Sequence, residues 1–541
     1  MKKLALFLFI ICGTKTYAQS PNWLWARQGI GGAESGFSTV TDPSGNVYTN
    51  GFYDDSLIFG TDTLSIPTSY YVVKYDAAGN MLWAKNIGKI PQCFLATDAL
   101  GNLYVAGNYD TSLTIGSTVL TSMGNYDFFL AKFDPSGTPL WAVSAGGTLY
   151  DGVTGVATDP SGNVLVTGYY SSPSVNFGTT TITNPGTTSA VFIAKYNSSG
   201  IEQWATTSSS ITGNGSNCIA VDGSGNSYIA GSFATPTTLT FGATTLTRMG
   251  SGDFFLAKCD ASGNYIWAKN VGASSESVRA SSIEVKSSGE IVIVGDFIQI
   301  GSGTGVTFGT HFLPSTSGPP FGNAYIVEYN TAGNVDWAKS TSHESSGYSV
   351  TVDPYGNSYM SASLLATTTI DTVTASPGAG ADNMMVVRFN SSGSALSATS
   401  LRGGGDDMNT IAADANCNVF VSGDFIPNPF IIGTDTLHKY GGETPFVAKL
   451  HYNCNVNVGV SENNLTNTFL YPNPFTNDLS VTTINNIPAE IIIYDIASKK
   501  LIQQKFISQT TINTETLAKG IYIYEIRNKQ EIIQKGKLVK E

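Results

Sequence analysis

Asp42–Tyr53 reads DPSGNVYTNGFY, and the stretch recurs: Asp159–Tyr170 is DPSGNVLVTGYY and Asp353–Ala362 is DPYGNSYMSA. Each copy opens on Asp-x-x-Gly-Asn, a turn in which Asp caps its own backbone, and continues as an alternating strand. Aligned on that turn, copies fall at Asp42, Asp98, Asp159, Asp222, Asp353 and Asp414, with a degenerate one, KSSGEIVIVGDF, at Lys286. That makes seven copies, one every roughly sixty residues, and a repeat protein.

A second hairpin keeps step with the first. YYVVKYDAAGNMLWAKN carries Trp83, DFFLAKFDPSGTPLWAVS Trp141, VFIAKYNSSGIEQWATT Trp204, DFFLAKCDASGNYIWAKN Trp267 and AYIVEYNTAGNVDWAKS Trp337. A sixth copy, MMVVRFNSSGSALSATS, puts Ser397 at the Trp position. Each unit is therefore four strands: A before the repeated Asp, B after the turn, a Thr-rich crossover, then C and D. Four antiparallel strands repeated radially make a β-propeller, and the strand D Trp reads as a blade-to-blade packing residue. The seventh unit lacks a strand D, while PNWLWARQG, with Trp25, precedes the first strand A. The expected fold class is all-β: a seven-bladed β-propeller closed by the N-terminal strand, followed by a small C-terminal β-sandwich. The repeats resemble the seven-bladed (SBBP-type) propeller repeats of exported bacterial proteins, over about Pro21 to Asn455. That resemblance implies a fold rather than an activity.

At 541 residues the chain exceeds one core, and its 58 glycines and Thr/Ser runs favour turns and short strands. A net charge of -12, with no Lys/Arg cluster in the first 450 residues, argues against nucleic acid or an anionic membrane as partner. MKKLALFLFIICGTKTYAQS has the basic start, short apolar run and small-x-small site of a secretory signal peptide, with cleavage between Ala18 and Gln19. The expected domains are 1–18 signal peptide, 19–455 propeller, 456–468 linker and 469–541 a C-terminal domain.

That last domain opens on FLYPNPFTNDLSVT, where Pro472 and Pro474 mark an edge or entry segment. It resembles the C-terminal (type A) sorting domain of type IX secretion cargo of Bacteroidota. The matching residues are Tyr471, Pro472, Asn473, Pro474, Phe475 and Leu479, then Gly520, Ile521, Tyr522, Ile523 and Tyr524, then Lys537 and Val539. The resemblance implies passage across the outer membrane by the type IX secretion machinery, removal of the domain by a sortase-like peptidase before Phe469, and attachment to lipopolysaccharide.

Catalytic chemistry is sparse. The four histidines, His311, His343, His438 and His451, hold no common blade position, and HExxH, G-x-S-x-G, P-loop and G-x-G-x-x-G motifs are absent. The repeated Asp offers too few oxygens for calcium, so no metal, cofactor or catalytic residue is assigned. Cys417 and Cys454 replace the Gly of the A–B and C–D turns of the last blade, which lie at one end, and are expected to form a disulfide worth about 2–4 kcal/mol. Cys93, Cys218 and Cys259 read as buried apolar residues. The functional expectation is a non-enzymatic, cell-surface or secreted propeller that binds a glycan or protein by one end face. The alternatives are a propeller enzyme acting on extracellular polysaccharide and a structural surface-layer component. An aromatic, acid-poor face would mark a binder.

Overall fold

The computed structural model describes residues 21–540 apart from 32, 187, 212–215, 236, 317–321, 378–382, 402–409, 442, 453–467, 472–474, 484–487, 496–498 and 528–531. The expected signal peptide with its expected Ala18–Gln19 cleavage site, Cys454, Pro472, Asn473 and Pro474 lie outside the described residues. The chain divides into two compact units, Met1–Cys454 and Asn455–Glu541.

The first unit is an all-β propeller. Its described residues form seven four-stranded antiparallel sheets. Strand A of successive blades is Ala33–Thr41, Cys93–Thr97, Asp151–Thr158, Ser216–Val221, Glu276–Val285, Gly347–Val352 and Thr410–Ala413. Each strand A lies beside the strand A of the next blade, and that of blade 7 beside that of blade 1. Threonine hydroxyls stitch part of this inner ring: Thr97 donates to the Thr41 carbonyl (2.7 Å), Thr158 to that of Thr97 (2.7 Å) and Thr41 to that of Ala413 (2.8 Å).

The outer strand of blade 7 is Asn22–Gln28, hydrogen-bonded to Thr444–His451. Its register, Trp25 opposite Lys449 and Ala26 opposite Ala448, repeats that of blade 1, where Trp83 faces Lys74 and Ala84 faces Val73. Strands B and C are buried along nearly their whole length, as in Ser69–Tyr75 and Leu103–Tyr109, because a neighbouring blade covers each face. Each Thr-rich crossover folds as a small hairpin, the first being Leu57–Phe59 with Asp62–Leu64. In three of them an acidic residue holds strand D: the amides of Ala84, Ala395 and Ala26 donate to Asp62, Asp371 and Asp435 at 2.9, 3.1 and 2.6 Å.

The repeated Asp does more than cap its turn. In Asp159, Oδ1 accepts the amides of Ser161 and Asn163, both at 2.9 Å, and Oδ2 accepts the Asn163 side chain at 2.7 Å. A lysine from strand C then reaches the same oxygen. The pairs are Lys74–Asp42 (3.3 Å), Lys132–Asp98 (3.3 Å), Lys195–Asp159 (2.9 Å), Lys258–Asp222 (3.9 Å) and Lys449–Asp414 (3.9 Å). Burial by itself would raise these carboxyls, but the amide and side-chain donors hold Asp98, Asp159 and Asp222 below the ordinary carboxylate value. Blade 5 exchanges the charges, placing Lys286 at the turn and Glu328 on strand C in direct ion-pair contact. In blade 6 Arg388 takes the lysine position, under the rings of Tyr359 and Tyr452 at 5.8 and 5.5 Å.

The tryptophans join consecutive blades. The indoles of Trp25, Trp83, Trp141 and Trp204 donate to the carbonyls of Ala77, Pro135, Ser198 and Ala261 in the next blade's C–D turn, at 3.3, 3.2, 3.1 and 3.1 Å. The ring lies against the Gly of that turn. A Cβ on Gly79, Gly263 or Gly393 would come within 2.7, 2.7 or 2.3 Å of Trp25, Trp204 or Trp337, and Gly333 stands in the same relation to Trp267 at 3.2 Å. Cys417, at a position where other A–B turns have Gly, adopts φ +58° and is disulfide-bonded; its expected partner Cys454 lies outside the described residues. Cys93, Cys218 and Cys259 are free and buried.

The second unit refines the expected sandwich. Its seven strands form one continuous hydrogen-bonded sheet in which the three-stranded and four-stranded halves meet through the single pair Ile507–Gln509. The sheet bends there, where Ser508 has φ +64°, and encloses a core that includes Phe475, Leu479, Ile491, Ile493, Tyr522 and Leu538.

Removing one member of a buried pair strands the other. Asp159→Ala should therefore lower the unfolding free energy by about 3–5 kcal/mol, measured by urea denaturation. Adding Lys195→Met should recover part of that loss, the remainder being the turn amides that Asp159 caps.

Candidate functional site

Antiparallel connectivity puts the A–B and C–D turns at one end of the ring and the D–A connections and crossovers at the other. At that second end, two connections and one strand end bring tyrosines together across blades 2 and 3. Tyr126 comes from the blade 2 crossover, Tyr150 from the connection into blade 3 and Tyr169 from the end of Val164–Tyr170. Their ring centroids are 5.1 Å apart for Tyr126–Tyr150 and 5.6 Å for Tyr150–Tyr169, the latter pair stacked at 3°. All three are partly exposed, and Met123 and Leu149, 62% and 44% exposed, flank them. Burial, then contact with Tyr150, raises the Tyr169 phenol well above its ordinary value, so it remains a protonated hydrogen-bond donor.

Carboxylates near this surface face inward. Asp151 is fully buried and accepts the amides of Ser171 and Ser172, each at 3.0 Å, and the Ser172 hydroxyl at 2.6 Å. Asp127, also buried, accepts the Met123 amide at 2.5 Å, and burial pushes its carboxyl up. The histidines lie apart: His311 and His438 on or beside crossover hairpins, His343 in the connection from blade 5 to blade 6, and His451 at a strand C end against Asn418 at 2.9 Å. Among the described residues, no three His, Cys, Asp or Glu converge as a metal would require.

The inner strands surround a channel of about 810 Å³ lined mainly by hydroxyl and small apolar side chains. Its charged lining residues, Arg279, Glu284 and Asp296, all come from blade 5. Glu284 occupies the place that Val40, Ala96, Ala157, Ala220, Thr351 and Ala412 hold in the other blades.

In the second unit the three motifs meet. Gly520 pairs with Lys540, Ile521 with Val539 and Ile523 with Lys537, while the Phe475 amide donates to the Val539 carbonyl at 2.9 Å. Phe475 and Leu479 are fully buried, Tyr522 is buried with its hydroxyl on the Ala518 carbonyl at 2.6 Å, and Tyr471 pairs with Ser480.

Residues 469–541 match the family model described as the secretion system C-terminal sorting domain. This segment is a secretion sorting domain. It marks the chain as secreted or displayed at the outer surface, and as a client of the type IX secretion system. A WD repeat-containing protein of Acanthamoeba polyphaga mimivirus is 30% identical, over 48% of this chain and 24% of that protein. The chain thus spans about a quarter of that relative's length. Similar solved structures include the Neurospora crassa Pan2 WD40 domain (9% identity, 81% of this chain and 99% of that one, TM-score 0.40) and the polysaccharide lyase Uly1 (9%, 81% and 94%, 0.39).

Sequence reasoning missed the strand C lysines, the blade 5 charge exchange and the tyrosine stack. The first had a visible signal, a Lys two residues before the second turn's Asp or Asn in four of the seven units, with His451 at that turn position in the seventh. The stack had none, since Tyr126 and Tyr150 come from connections that do not repeat and only Tyr169 belongs to a repeated strand.

Burial pushes the Glu284 carboxyl up to about 7. Between its ordinary value of about 4.3 and about 7, the folded chain keeps a proton that the unfolded chain has lost, so this group lowers stability as pH rises through that window and has a constant effect above it. Glu284→Gln should gain thermal stability over the parent at pH 8 and little at pH 5, by scanning calorimetry at both values.

Proposed function

We propose that the protein is an exported glycan-binding module, whose propeller holds saccharide on the tyrosine surface of blades 2 and 3. The observation that carries this reading is the stack of Tyr126, Tyr150 and Tyr169. Partly exposed phenol rings offer apolar faces for the C–H side of a sugar and hydroxyls for its rim. The adjacent carboxylates are committed to capping the loops that hold the rings, and no histidine stands beside them, which favours binding over bond cleavage.

The sorting domain would deliver this module. In this reading the type IX machinery recognises the second unit, a sortase-like peptidase cuts in the 456–468 linker, and the propeller is released or joined to lipopolysaccharide. A disulfide between Cys417 and Cys454 would tie the last blade near that cut.

Calorimetric titration of the full exported chain with a panel of neutral oligosaccharides should reveal a saturable ligand, and Tyr150→Ala should weaken it about tenfold, the loss expected for a central aromatic contact. Absence of any ligand, or new reducing ends in the mixture, would sink the binding reading. A chain truncated at Asn467 should remain in the periplasm while the full chain leaves it, as read by cell fractionation.

A further inference from the structure

The groove between blades 5 and 6, at the end of the ring carrying the A–B and C–D turns, lies where the repeat exchanges its charges. It encloses about 540 Å³, and its lining includes Lys286, Glu290, Glu328, Asp336, Trp337 and Tyr355. The other blades show what normally fills this position. In blades 1, 2 and 7 the strand C lysine pairs with its own Asp and also reaches the next blade's turn carbonyl: Lys74 to Pro135 (3.1 Å), Lys132 to Ser198 (3.4 Å) and Lys449 to Ala77 (2.8 Å). The neighbouring Trp indole donates to the same carbonyl.

At blade 5 the equivalent carbonyl belongs to Ser391, and the side chain that should approach it is Glu328. The ammonium has moved to Lys286, on the far side of the pair. Trp337 is 7% exposed, and its indole N–H makes none of the carbonyl bonds of its counterparts. The lining carries three carboxylates, Glu290, Glu328 and Asp336, against one cation, Lys286. Tyr355, 59% exposed, supplies an aromatic wall at the mouth. What the groove lacks, relative to its counterparts, is a lysine at the strand C position beside the turn carbonyl.

We propose that this groove accepts a lysine side chain presented by a partner protein. The ammonium would take the place of the internal lysine beside the Ser391 carbonyl, neutralising Asp336 next to a Glu328 that Lys286 already pairs, while the methylenes lie along Tyr355, where a cation and its stem both gain from an aromatic face. A formal charge of -12 draws a basic partner toward the chain from a distance. The site is at the opposite end from the tyrosine surface and does not rest on the glycan reading.

The test titrates the full chain with Nα-acetyl-lysine amide, using Nα-acetyl-norleucine amide as uncharged control and glucosamine as an amino-sugar comparison. The lysine probe should saturate and the norleucine probe should not, with binding weakening as salt rises. Tyr355→Ala, on an exposed ring, should weaken the lysine probe about tenfold. Lys286→Asp combined with Glu328→Lys rebuilds the pair found in the other blades, and should keep the parent's thermal midpoint while abolishing binding. A parent that does not bind the lysine probe, or undiminished binding in both the Tyr355→Ala and the rebuilt chains, overturns the proposal. Tighter binding of glucosamine than of the lysine probe overturns the protein partner and assigns the groove to an amino sugar.

Discussion

A carboxylate and an ammonium taken out of water are costly unless each neutralises the other and the remaining lone pairs and protons are filled. The propeller meets that condition in nearly the same way from blade to blade. Asp159 illustrates it: one oxygen is occupied by turn amides, the other by Asn163 and Lys195. The pair thereby joins the A–B turn to strand C, and in blades 1, 2 and 7 the same lysine continues to the next blade's turn. A local turn motif becomes a connection around the ring. Blade 5 shows that the constraint is complementarity rather than residue identity, because Lys286 with Glu328 satisfies it in reverse.

Closure depends on a second coupling, between the strand D tryptophan and the glycine under it. A side chain at Gly79 or Gly393 would collide with Trp25 or Trp337. The two positions are therefore constrained together, though they belong to different blades. In the sequence, loss of the Trp at Ser397 in the sixth unit coincides with loss of the Gly at Cys454 in the seventh.

What was legible in the sequence was what is local or periodic. Asp-x-x-Gly-Asn specifies its turn within five residues, and Trp25 could be recognised as a displaced strand D because it repeats the surroundings of Trp83. The blade 5 exchange looked like decay of the motif, because Lys286 and Glu290 depart from it and the compensating Glu328 lies in a different hairpin. The tyrosine stack was invisible for a stronger reason. Tyr126, Tyr150 and Tyr169 occupy a crossover, a connection and a strand end, and no period relates them.

The same distinction separates scaffold from function. Positions fixed by the repeat are already committed: the turn Asp to amides and lysine, the Trp to a glycine and a carbonyl, strands B and C to neighbouring blades. Only departures from the repeat leave groups facing outward with chemistry to spare. The described structure has such departures in the tyrosines of blades 2 and 3 and in blade 5, which contributes Arg279, Glu284 and Asp296 to the channel and Glu290, Glu328 and Asp336 to the groove. A blade that retained only its packing would have no reason to concentrate carboxylates on both its inner strand and its turn end. Blade 5 keeps its buried pair by reversing it, and the reversal places acid where the other blades place a lysine, next to a turn carbonyl that has lost its internal donor.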